Sequence, residues 1–218
     1  MYKFAILKKS DKFKWTANKV VYGSMAIFVL ILVASNAIGI ENELFEKILI
    51  FCFIGTYIAG LGLKFYGLGT TKDFDGELDG FLVFDFNQIT IKDRAIDIAD
   101  VANISIDNND YYGRQYANDR NDLNPASSNG SGNFAVITLK SGETLKTQFI
   151  MGRSDDFQKI RKELIGYHVK GKIALEALSN ILGERSSNEI ELLKSEITAH
   201  EIPAPIRQIA EKARTASK

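Results

Sequence analysis

Residues 20–40, VVYGSMAIFVLILVASNAIGI, carry no charged side chain, and this stretch decides how the rest of the chain is read. At about 1.5 Å of rise per residue, such a run reaches roughly 31 Å as a helix, close to one hydrocarbon core. Before it, residues 1–19 hold Lys3, Lys8, Lys9, Lys12, Lys14 and Lys19 against Asp11, a local net charge of +5. After it, residues 41–47 (ENELFEK) are acidic, with a net charge of −2. A second uncharged run, ILIFCFIGTYIAGLGL, extends from Ile48 to Leu63 and is followed by Lys64 and FYGLG. This shorter run spans a bilayer once Leu44, Phe45, Phe65 and Tyr66 join it and Lys64 snorkels to the interface.

Two other readings of the runs fit less well. A buried pair of helices in a soluble protein seldom lacks a polar face over so many residues. A cleaved leader ending near Ser35-Asn36-Ala37 has too long a region ahead of its apolar core, and a second apolar run follows closely. The chain therefore divides into a basic N-terminal segment (1–19), a transmembrane hairpin (20–68), a β-rich domain (69–172) and C-terminal amphipathic helices (173–218). The positive-inside bias keeps the lysine-rich N-terminus cytoplasmic and turns the acidic loop outward. Two crossings then return residue 69 onward to the cytoplasm, placing both termini there. Gly23, Ser35 and Gly39 in the first span, and Gly55, Gly60 and Gly62 in the second, allow close helix approach. They serve either the hairpin's own packing or an oligomer interface.

The whole chain has 218 residues, 27 basic and 27 acidic, so its net charge is zero and no nucleic-acid polymer is expected as a partner. Cys52 is the single cysteine and has no internal disulfide partner, while His168 and His200 leave little room for a metal site or triad. Neither a phosphate-cradling glycine loop, nor Gly-x-Ser-x-Gly, nor His-Glu-x-x-His occurs. The alternating acids Asp73, Asp75, Glu77 and Asp79 lack the glycine and distant glutamate of a calcium loop. No catalytic residue, metal or cofactor is expected.

Residues 78–107 alternate apolar and polar side chains as strands do, with Gly80, 86–88 and 92–94 as turns. NFAVITLK and ETLKTQFIM form a hairpin around Ser141-Gly142. Ser154 is placed to cap a helix carrying Phe157, Ile160, Leu164 and Ile165 on one face. IALEALSNIL is a further helix stopped at Gly183, and Ser186 with Glu189 has capping-box spacing for the next. Pro203 and Pro205 break that helix before a last segment with Ile206 and Ile209. The N-terminal MYKFAIL alternates too and can add a strand.

This order resembles bacterial membrane proteins with a pleckstrin-homology-like domain. The resemblance rests on GELDGFLVFDFNQITIKDRAIDIADVANISID, NFAVITLKSGETLKTQFIM and DDFQKIRKELIGYH and covers residues 16–168. It implies an α+β membrane protein of the bacterial inner membrane. A two-helix hairpin would precede an antiparallel β-sandwich or barrel, with a closing helix plugged by Phe157, Ile160 and Leu164 and extra C-terminal helices. The loop at 108–133 is long for that pattern, and the helices after 173 are additional.

The loop holds Tyr111, Tyr112, Arg114, Tyr116 and Arg120 among many Asn and Asp residues; it reads either as a flexible polar loop or, since such side chains are common recognition anchors, as a surface for a nucleotide or a protein partner. Lys159, Arg161, Lys162, Lys170 and Lys172 could face anionic lipid. Residues 69–133, however, carry a net charge of −7, which an anionic leaflet repels. The expected function is that of a non-enzymatic scaffold or adaptor in contact with the lipid bilayer. It would bind a protein partner or form a homo-oligomer through its cytoplasmic domain. The rival expectation is a ligand-gated effector of anti-phage defence, in which a cyclic nucleotide on the Tyr/Arg loop drives membrane disruption.

Overall fold

The computed structural model describes residues 2–39, 42–116 and 123–201. In chain order these form β1 (Lys3–Lys9), α1 (Ala17–Ala37), α2 (Glu43–Gly67), β2 (Gly76–Phe84), β3 (Gln88–Ile91), β4 (Arg94–Asp97), β5 (Val101–Asp107), β6 (Tyr112–Gln115), β7 (Ser127–Asn129), β8 (Asn133–Leu139), β9 (Thr144–Phe149), α3 (Arg161–Val169), α4 (Leu175–Leu182) and α5 (Ser187–Glu201). The chain is thus α+β: two long apolar helices near the N-terminus, then a mostly antiparallel sheet and further helices. Its contacts divide it into two units. A sheet unit gathers the described residues of 1–9, 76–111 and 130–218, and a helix unit those of 10–75 and 112–129.

The sheet unit contains seven strands in the order β4-β3-β2-β1-β9-β8-β5. The alternation of MYKFAIL is β1, and it lies at the centre of that order, beside β2 on one side and β9 on the other. Phe4, Ile6 and Leu7 of this strand are buried. Its pairing with β2 runs from Lys3↔Val83 to Lys9↔Gly76, with a register shift between Ala5 and Leu7. Gly80, expected as a turn, lies within β2 opposite that shift. At Gly76 the chain re-enters the sheet so tightly that an added Cβ would stand 2.1 Å from the Lys8 carbonyl oxygen. Only glycine tolerates that approach. The Ser141-Gly142 hairpin closes as its sequence requires, with Leu139 N–H on the Glu143 carbonyl at 2.8 Å.

One aromatic cluster organises the core. The Phe157 ring stacks on Phe4 at 4.7 Å and meets Phe149 at 5.8 Å and Phe84 at 6.1 Å. Phe157 sits on a 3-10 turn, Asp156–Ile160, that leads into α3, and Ile160 and Leu164 are buried with it. The cap expected from Ser154 does not form: the turn begins after Asp155 without a side-chain cap. The Asp156 carboxylate accepts the N–H groups of Gly152 and Arg153, both at 2.9 Å, and an ion pair from Lys159 at 2.7 Å. Burial raises the pKa of this carboxyl, but hydrogen bonds from Lys159 and Tyr2, with the backbone N–H, outweigh it and hold the group below its ordinary value.

The later helices belong to the same core. Ile173, Leu178, Ile181, Leu182, Leu193 and Ile197 are buried in it. Gly183 ends α4 in the left-handed region, at φ +75°. The Ser186/Glu189 box forms in both directions, at 3.2 Å and 2.9 Å. Arg161 bonds Glu196 of α5 at 2.7 Å and also Glu184, so the helices are tied together by charge as well as packing. Pro203, Pro205, Ile206 and Ile209 lie outside the described residues.

In the helix unit, Thr16 caps α1 and Asn42 caps α2, each accepting a backbone N–H three residues on. The second helix extends through Leu44, Phe45, Phe65 and Tyr66, as a span of adequate length requires. Both helices are long and apolar enough to cross a membrane. Leu30 is 67% exposed and Phe51 78%, whereas only Val21 and Ser35 of α1 and Leu49, Gly60 and Gly67 of α2 are buried. An apolar surface of this extent is foreign to a water-exposed helix pair.

Truncating the central ring tests the packing. Phe157→Ala should cost about 3–5 kcal/mol, the usual range for a buried Phe→Ala change, and lower the thermal midpoint accordingly. The buried carboxylate adds a pH dependence. Its contribution is complete above the unfolded carboxyl pKa of about 3.9 and is lost as the pH falls through the lower folded value. Asp156→Asn should therefore flatten the acid limb of a melting-temperature profile while lowering the neutral plateau.

Candidate functional site

Of the loop expected at 108–133, the described residues of 112–129 form a strap in the helix unit. Its legs are β6 and β7, paired at Tyr112↔Asn129 and Gln115↔Ser127. Tyr116 N–H donates to the Ala126 carbonyl at 3.0 Å, and its hydroxyl reaches Ser128 Oγ at 3.1 Å. The Lys72 ammonium lies over the Tyr116 ring at 4.5 Å, while Lys72 N–H donates to the Ser127 carbonyl at 3.0 Å. Asn129 Nδ2 donates to the Asp73 carbonyl at 2.9 Å. The strap is thus stitched along residues 70–73, which follow α2.

Its second leg reaches both long helices. Ala126 N–H bonds the Gly67 carbonyl at 3.0 Å, sharing this C-terminal carbonyl of α2 with Thr70 N–H at 3.3 Å. Leu123 N–H bonds Asn18 Oδ1 at 2.8 Å, in the first turn of α1. The Leu123 side chain is buried, and a Cβ added at Gly60 would stand 3.0 Å from Val21 Cγ1 and 3.6 Å from Leu123 Cδ1. At Gly67 an added Cβ would lie 3.3 Å from the Asn124 carbonyl oxygen. These two glycines create the room in which the strap docks. A cavity of about 110 Å³ remains beside Leu123, between Met25, Tyr57 and Leu61.

The expected anchors are dispersed. Tyr111 packs against the sheet-unit core. Tyr112 is 57% exposed, Arg114 is half-buried, and Tyr116 is committed to Lys72 and Ser128. Arg120 lies outside the described residues. Among the small helix residues, Gly60 meets α1 through Val21, and Ser35 is buried with its hydroxyl on the Leu32 carbonyl. A Cβ at Gly23, Gly39, Gly55 or Gly62 would meet nothing within 4 Å. The residues that composition alone passed over are Leu123 and Asn18. Leu123 carried a signal, as the lone Leu, Ile or Val in an otherwise polar loop.

A basic and aromatic cluster lies just ahead of α1. Phe13 and Trp15 are 69% and 71% exposed and meet edge to face at 5.2 Å. Lys19 Nζ stands 4.2 Å from the Phe13 ring, and Lys14 Nζ bonds the Phe74 carbonyl at 3.0 Å. With Phe65 and Tyr66 exposed at the end of α2, the arrangement has the make-up of an interfacial belt.

No family model matches the chain, and neither does any curated protein or solved structure.

Leu123→Ala isolates the strap's apolar contact. With the carbonyl and amide bonds left in place, the loss should be about 2 kcal/mol, the low end for a buried leucine. Hydrogen exchange should then quicken roughly 30-fold at the Leu123 and Ala126 amides. The amides of β8 should keep their wild-type protection.

Proposed function

We propose that this protein is a membrane-anchored, non-enzymatic scaffold or adaptor whose extramembrane domain binds a protein partner or self-associates. The observation that carries the reading is the pairing of β1 with β2 on either side of the hairpin. Two strands that share hydrogen bonds lie on the same face of any bilayer, so the segment between them crosses it an even number of times. The two apolar helices supply those crossings. Six lysines within residues 1–19 favour the cytoplasmic face of a bacterial inner membrane for β1, and hence for the whole sheet. The exposed Phe13, Trp15, Phe65 and Tyr66 suit the headgroup level on that face.

A pleckstrin-homology-like fold is part of the proposal. Its support is the antiparallel sheet followed by a helix whose Phe157, Ile160 and Leu164 fill the core. The non-enzymatic character draws on how buried polar groups are spent. Asp156 holds two backbone N–H groups and Lys159, Asp110 Oδ2 accepts from Gly132, and Asn133 bridges Asp110 N–H and the Gly130 carbonyl. The Tyr167 hydroxyl donates to the Asp85 carbonyl, and burial pushes its pKa well up. Each of these groups is engaged by a backbone N–H or carbonyl.

One observation favours the gated-effector alternative. The strap that bears Tyr112 and Arg114 is bonded to the first turn of α1 and the last turn of α2. A ligand on that strap would act directly on the ends of both helices.

Lysine-directed crosslinking in native membranes tests the scaffold. Species larger than the 24.3 kDa chain should form, whereas a protein that stays at that size at every reagent dose contradicts the reading. Liposomes holding the protein and a trapped dye separate the alternative, which requires release on adding a cyclic nucleotide.

A further inference from the structure

The sheet unit holds a cleft where its central ladder opens. The β1–β9 register is the single pair Ile6↔Phe149, reinforced by Ile150 N–H on the Ala5 carbonyl at 2.9 Å. Beyond it the two strands part. Lys8 and Lys9 pair only with β2, and residues 144–148 of β9 pair only with β8, among the described residues. A cleft of about 430 Å³ fills the gap. Two strand edges therefore face one space, and an unpaired edge is a template for another strand.

The walls of the cleft are specific in character. Ile91 and Leu145 give it an apolar side, and Lys8, Lys92, Arg94 and Lys146 surround it with positive charge. Two of these cations are already matched: Lys92 pairs with Asp79, and Arg94 takes Glu143 through two bonds at 2.6 and 2.8 Å. Lys8 and Lys146 are exposed, and neither has a carboxylate partner among the described residues. Lys146 instead lies over the Phe134 ring at 4.6 Å.

We propose that this cleft receives an extended, acidic peptide segment of a partner protein, which adds as a strand between β1 and β9. Main-chain hydrogen bonds to the open edges supply affinity, and alternate side chains supply specificity. The period of two places apolar side chains toward Ile91 and Leu145 and carboxylates toward Lys8 and Lys146. A compact anion such as phosphate would engage the lysines but leave both strand edges and the apolar wall unused. The inference rests on the adaptor reading and gives its partner a chemistry.

The test titrates the full-length protein, in dodecyl maltoside micelles, into labelled hexapeptides that alternate Glu with Val, Ile, Leu or Phe, read by fluorescence anisotropy. At least one Glu peptide should saturate. Its Lys-for-Glu counterpart, and its counterpart N-methylated at alternate residues, should each bind about tenfold or more weakly. The double variant Lys8→Glu, Lys146→Glu should lose binding by a similar factor with an unchanged melting temperature. The peptide comparisons on the wild-type chain decide the matter even if that variant misfolds. The proposal is overturned if no Glu peptide outbinds its Lys counterpart, or if N-methylation has no effect, which would reduce the contact to charge alone. Binding of inorganic phosphate without any peptide binding overturns it too. Crosslinked species alongside a failed titration would sink the cleft and leave the adaptor standing, whereas a chain that never crosslinks sinks the adaptor itself.

Discussion

The antiparallel ladder between β1 and β2 is the constraint on which the rest of the molecule depends. It joins two segments that the chain separates by both long helices, and its register fixes Lys9 against Gly76. Whatever lies between those residues must leave the sheet and come back to it. A single crossing is excluded, because it would set the paired strands on opposite faces of a membrane. Removal of a leader near Ser35-Asn36-Ala37 would be costly to the sheet. It would take with it Phe4, Ile6 and Leu7, three buried side chains of the central strand, and part β2 from β9. Sheets stripped of an internal strand expose two edges and lose the core on both sides.

The same constraint ties the ends of the two long helices to the folding of the sheet. Phe4 on β1 and Phe157 after β9 stack ring on ring, so the core closes only when the first and later parts of the chain meet. The chain passes between the sheet and helix units four times, and each unit is discontinuous in sequence. In the helix unit, the strap bonds the Asn18 side chain in the first turn of α1, the Gly67 carbonyl at the end of α2 and the 70–73 segment.

What the sequence disclosed, and what it withheld, follows the range of the forces involved. The spans were legible because a charge-free run of such length has no stable place but a bilayer or a deep core. The Ser141-Gly142 turn, the Gly183 stop and the Ser186/Glu189 box were legible because each is written within a few residues. The central position of β1 was not, since strand neighbours are chosen by contacts across the whole chain. The strap was read as a loop that either recognises a ligand or partner or is only flexible, for a related reason. Its docking depends on backbone carbonyls and two asparagine side chains, which composition does not distinguish from solvated ones, and on the single side chain of Leu123. Ser154 was read as the helix cap by its position, but the segment begins as a 3-10 turn with no side-chain cap, and the buried Asp156 reaches back to the Gly152 and Arg153 N–H groups ahead of it. The open ladder beside Lys8 could not be read at all, because it arises where two strands diverge.

The most direct test of this account is the sidedness of the two paired strands. On a Cys52→Ser background, Lys9→Cys, Glu77→Cys and Glu43→Cys are labelled one at a time with a membrane-impermeant maleimide, in intact spheroplasts and after lysis. The account predicts that position 43 reacts in intact cells, and that positions 9 and 77 react only after lysis. Labelling of 9 and 77 from opposite sides would contradict it, since strands paired as β1 and β2 are cannot be parted by a bilayer.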